Sequence, residues 1–158
     1  MGTVGNSLIK GIAPQEVSET LESFYAYEQL RAQFARAALN RLSGHGEIHL
    51  KAGLENRVAE AERNSARLGS RIAQLGGAVP ADPTKFVELA PVDDYRLPDP
   101  NDMKEFMPYA LEQERAAIRF YNAFLDSIRD KDIVTYYEVF EILKVHIAVE
   151  DEIENFRK

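Results

Sequence analysis

Glu28 and Glu114 interrupt two apolar stripes, and their placement raises the first chemical question. One stripe reads Leu21, Phe24, Glu28, Arg31/Ala32, Ala35, Leu39, Leu42; the other reads Met107, Leu111, Glu114, Ile118, Tyr121, Leu125. Steps of three and four residues put each set on one helix face. An isolated buried carboxylate is too costly to persist, so each glutamate must be paired or bound to a cation. Two carboxylates facing the interior of one helical bundle suit a hard metal ion. The competing reading is ion pairing, with Arg31 or an arginine of another helix as partner. A second pair, His45 and His49, shares a helix face at i, i+4. It reads either as a surface pair or as part of a metal site, and Glu55 lies where a further ligand could help.

Four long helices must position these residues. The spacing predicts them over 14–42, 47–75, 102–129 and 132–157. Pro14 and Glu16 suit a first helical turn, Gly76-Gly77 suits a helix end, and Asp132 suits a cap. Short joints near Ser43–Gly46 and Asp130–Asp132 make two antiparallel hairpins. Between them, residues 76–101 hold five of the seven prolines and show no helical period. A helix of ~30 residues is ~45 Å long, a length that about 25 extended residues can cover. The expected fold is therefore all-α: an antiparallel four-helix bundle of two hairpins joined by one long crossover.

Composition narrows the classes. The chain has 158 residues, enough for one domain spanning 1–158, and a net charge of −7. That charge argues against nucleic acid as a partner. Cysteine is absent, which removes disulfides, thiolate sites and thiol redox chemistry. No apolar run approaches the ~18 residues of a membrane span, and no signal-peptide pattern opens the chain. The expected location is the cytoplasm, with no membrane partner.

Four stretches carry a resemblance: the first helix around Glu28 ending in Leu42-Ser43-Gly44; Ser70-Arg71-Ile72-Ala73-Gln74-Leu75-Gly76-Gly77; Ala110-Leu111-Glu112-Gln113-Glu114-Arg115-Ala116-Ala117-Ile118; and Glu141-Ile142-Leu143. In this order the chain resembles the ferritin-like superfamily, nearest to the Dps-like and bacterioferritin-like mini-ferritins, over about 15–156. One long crossover is also the ferritin-like arrangement. The resemblance implies iron storage or protection from oxidative stress, a homo-oligomeric hollow shell, and Fe²⁺ bound and oxidised between the helices. Glu28 and Glu114 match the family's single-glutamate ligands. Its two Glu-x-x-His pairs fall on Ala61 and Asn64 in the second helix and on His146 and Val149 in the fourth. A rearranged site would use Glu28, Glu114 and His146, completed by Glu62 or Glu150, with iron expected and manganese the alternative. Haem is not expected, because no methionine lies midway along the second helix. The alternative function is a non-catalytic ferritin-fold protein, structural or partner-binding, with a degenerate metal site.

Overall fold

The computed structural model describes residues 2–41, 47–93, 95–96 and 103–156, with side chains described from 50 onward in the second long helix and from 106 onward in the third. The elements are α1 (Thr3–Asn6), α2 (Pro14–Arg41), α3 (Glu47–Gln74), α4 (Phe86–Leu89), α5 (Met103–Ile128) and α6 (Ile133–Phe156). The four long helices agree with the expected spans over the described residues. Among the described residues, no helix is long and apolar enough to cross a membrane.

The helix ends follow from local chemistry. α3 stops at Gly76, whose φ of 84° lies in the left-handed region. The Gly77 N–H donates to the Ile72 carbonyl at 3.0 Å and the Gly76 N–H to the Ala73 carbonyl at 3.1 Å. This pattern satisfies the last carbonyls of the helix. Gly77 is required for space: a Cβ there would sit 1.8 Å from Ser18 Oγ of α2. α6 begins at Asp132, whose Oδ1 accepts from the Thr135 N–H at 3.0 Å, a side-chain cap.

Backbone contacts run α2 to α3, α3 to α6 and α6 to α5. Aromatic side chains close the ring between α5 and α2. Phe34 stacks on Phe106 at 5.4 Å, Tyr27 meets Phe120 edge-on at 5.0 Å, and Phe24 meets Phe124 at 5.3 Å. Numbers fall along α2 as they rise along α5, so these helices are antiparallel. Arg57 pairs with Glu152 and Arg71 with Asp132, so α3 and α6 are antiparallel too. The core between them includes Leu21, Leu30, Leu68, Ile72, Leu125 and Ile142.

Two short helices stand outside the expected four. α1 is exposed, and the chain after it is tied down where the Lys10 N–H donates to the Lys131 carbonyl at 2.8 Å. The crossover, expected to lack helix, contains a 3₁₀ turn at Pro83–Lys85 followed by α4. Asp82 starts that turn by accepting from the Thr84 N–H at 3.0 Å and its hydroxyl at 2.6 Å. Farther along, Phe86 packs edge-on against Tyr25, and the Tyr95 hydroxyl donates to the Leu30 carbonyl at 3.2 Å. The crossover therefore climbs alongside α2 toward the start of α5.

Candidate functional site

Glu28, Glu114 and His146 meet in the bundle core. His146 stands between the two carboxylates. Its Nδ1 lies 2.6 Å from Glu114 Oε2 and its Nε2 lies 2.6 Å from Glu28 Oε1. Glu28 and His146 are both fully inaccessible to solvent. Arg31, one turn after Glu28, spans the same two acids. Its Nε donates to Glu114 Oε1 at 3.0 Å and its Nη1 to Glu28 Oε2 at 3.5 Å. The Tyr121 hydroxyl donates to Glu28 Oε1 at 2.8 Å. Stripe spacing on α2, α5 and α6 brings all five side chains to one level of the bundle.

The protonation states follow from the charges that face one another. An ionised carboxylate only accepts, so both imidazole nitrogens must carry hydrogen. His146 is thus an imidazolium. Burial pushes its pKa down, but Glu28 and Glu114 outweigh that and hold it above the ordinary histidine value. Burial pushes Glu114 up, yet Arg31 and His146 bring its pKa down to about 2. Burial likewise opposes ionisation of Glu28, and His146, Arg31 and Tyr121 reverse it to a lowered value. Burial drives the Tyr27 and Tyr121 phenols up, so both stay protonated. Two carboxylates against one imidazolium and one guanidinium leave the cluster neutral. That balance is what a buried set of charges needs.

No protein-family model matches the chain. It is 28% identical over 142 residues to the "DNA protection during starvation protein" of Pyrococcus furiosus, covering 90% of this chain and 76% of the relative. It superposes with a TM-score of 0.82 on the dodecameric thioferritin, a bacterioferritin-related protein, from Bacteroides fragilis. Identity there is 18%, over 97% of this chain and 89% of that one. The Dps protein of Vibrio cholerae gives a TM-score of 0.83 at 14% identity, over 92% and 91% of the two chains. The chain has the ferritin-like fold. Its likeness is to the Dps-like and bacterioferritin-related proteins.

Within this ferritin-like bundle the donor set does not fit a metal ion as it stands. A metal needs a free lone pair on imidazole and open carboxylate oxygens. Here both imidazole nitrogens face carboxylates, and Arg31 bridges the acids. The positions matching the family's Glu-x-x-His pairs do point inward: Ala61, Asn64 and Val149 are buried. They offer a methyl, an amide and an isopropyl group. The Asn64 Nδ2 has no hydrogen-bond partner among the described residues. Also among the described residues, no group of three or more His, Asp or Glu side chains is arranged to hold a metal.

Glu62 and Glu150 do not join the cluster. Glu62 is exposed and pairs with Arg36. Glu150, half-buried, accepts from Arg115 Nε at 3.0 Å. Expected to complete a metal site, both instead sit where an arginine of a neighbouring helix holds them. His45 and the side chain of His49 lie outside the described residues.

Two interior contacts are not predicted from the sequence: that of Tyr121 with Glu28, and a second ion pair. Tyr121 sits seven residues after Glu114 on the same face, a spacing that signalled its proximity to the acids. The other is a second buried ion pair. Arg71 Nη2 donates to both oxygens of Asp132 at 3.1 Å, and its Nε donates to Thr135 Oγ1 at 2.8 Å. Arg71 lies in the last turn of α3 and Asp132 caps α6, but nothing in their spacing joins them.

Proposed function

We propose that the whole chain, 1–158, forms one ferritin-like subunit of a homo-oligomeric shell of the iron-storage or stress-protection kind. Its bundle core is held by ion pairs and does not itself oxidise Fe²⁺. One observation carries the second statement: His146 and Arg31 occupy the space between Glu28 and Glu114, where a family metal would need those oxygens. Iron, if handled, is then cargo of the shell and not a resident of the bundle. The cytoplasm is its expected compartment, and the net charge of −7 gives a phosphate backbone little attraction.

The shell reading draws on the likeness to the Bacteroides protein, which is dodecameric, and on the surface of α6. Ile133, Tyr137, Phe140 and Ile147 recur at steps of four, three and seven, and all are exposed. Such a stripe on one helix face suits burial against another copy.

The test is an anaerobic Fe²⁺ titration of the native assembly, followed by aerobic oxidation rates for wild type, Glu28→Gln and Glu114→Gln. The expected result is no tight site in the wild type and equal rates in all three. A stoichiometric site in the wild type that both variants lose overturns the reading. It would favour a rearranged centre of Glu28, Glu114 and His146, with Glu62 or Glu150 drawn in. A compact monomer by light scattering would sink the shell.

A further inference from the structure

A cavity of about 340 Å³ opens where α2 ends and α5 begins, between all four long helices. Its walls are mostly apolar, with Phe34, Leu54, Phe106, Met107 and Ile153 among them. The volume falls at the lower end of the range for small-molecule pockets.

The cavity reaches the charge cluster, because Arg31 and Glu114 are part of its wall. Arg31 is only 7% exposed. Two of its nitrogens are engaged by Glu114 and Glu28. Its Nη2 has no hydrogen-bond acceptor among the described residues, and Glu60 Oε2 stands 3.6 Å away. A buried guanidinium N–H without an acceptor is costly, and such an exception calls for a partner.

Charge decides what that partner is. The two acids, the imidazolium and Arg31 already cancel. Beside them, Arg57 is shared between Glu60 and Glu152, and Glu152 also lines the cavity. An added anion would therefore meet an excess of carboxylate at short range. A neutral acceptor meets no such penalty. The lining phenols of Tyr27 and Tyr95 already donate, to the carbonyls of Gln113 and Leu30, whereas Arg31 Nη2 is a buried donor with no hydrogen-bond acceptor among the described residues.

We propose that this cavity is a binding site for a small, neutral, largely apolar molecule with one hydrogen-bond acceptor, of the ketone class, received by Arg31 Nη2. The site rests on the ion-paired core of the proposed function, and ligand binding is read separately from Fe²⁺ binding, so the failure of one is distinguishable from the failure of the other.

Acetophenone serves as the probe, with ethylbenzene (no acceptor) and benzoate (an anion) as comparisons. Binding to the native assembly is measured by calorimetry and by saturation-transfer NMR. Gly53→Leu supplies the blocked site. Gly53 lines the cavity, and a Cβ there meets nothing within 4 Å, so the new side chain has room without strain. The expected result is saturable binding of acetophenone, at least about tenfold weaker binding of ethylbenzene, no saturable binding of benzoate, and loss of acetophenone binding in Gly53→Leu with helix content retained. No binding of acetophenone overturns the proposal. So does ethylbenzene or benzoate binding as tightly, or undiminished acetophenone binding by Gly53→Leu.

Discussion

His146 holds a proton that its burial opposes, and that conflict makes stability depend on pH. Its pKa is raised in the folded chain above the ordinary 6.5. The stabilisation is fully present below that value, where folded and unfolded forms both carry the proton. It declines as pH rises above 6.5 and is lost once the folded pKa is passed. Glu114 acts in the opposite direction. Its pKa falls from 4.5 to about 2, so its contribution is present above 4.5 and disappears as pH falls toward 2. Urea unfolding across pH 2–10 should show a plateau between pH 4.5 and 6.5 and losses on both sides. His146→Leu removes the cation and leaves Arg31 alone against two buried acids. The expected cost is about 3–5 kcal/mol, read as a lower urea midpoint. In the wild type at pH 7, nitrogen NMR should find both ring nitrogens of His146 protonated. A neutral tautomer would contradict the assigned cluster.

At the level of helices, the second ion pair does the joining. Arg71 of α3 grips the cap of α6, so Asp132→Ala removes an N-cap and strands a buried guanidinium. The expected loss is about 3–5 kcal/mol by chemical denaturation, against about 1 kcal/mol for a cap alone. The elements were largely legible in the sequence because each long helix carries a periodic stripe closed by residues with local physics, such as Gly76-Gly77 and Asp132. α4 was not, since four residues among prolines show no period; packing of Phe86 on Tyr25 holds it in place. The candidate site was half legible. Stripe position alone put Glu28 and Glu114 inside, and the i, i+3 step to Arg31 marked one ion pair. That a single arginine would also reach Glu114, and that His146 would lie between the acids, depends on how three helices are placed side by side. Separations of 83 and 118 residues hide such contacts from any spacing rule. Read without them, the same acids suit a metal.

For the whole molecule, the outer face of α6 is the informative surface. Tyr137 is 59% exposed, and Phe140 lies one turn on along the same face. If another copy covers this stripe, the double variant Tyr137→Glu, Phe140→Glu should lower the assembly mass by light scattering while the helical signal stays. An unchanged mass would place the contact elsewhere.

The cluster of Glu28, Arg31, Glu114 and His146 has one more effect, on alignment. Stripes of leucine, alanine and isoleucine slide past one another at little cost, since one aliphatic contact replaces another. A shift of one residue along an α-helix is ~1.5 Å, more than a hydrogen bond at 2.6 Å tolerates. Any such slip of α6 against α2 and α5 would draw the imidazolium away and leave Arg31 alone against two buried carboxylates. The four side chains therefore work as a vernier, selecting one axial setting of the helices from several that oily packing alone would accept.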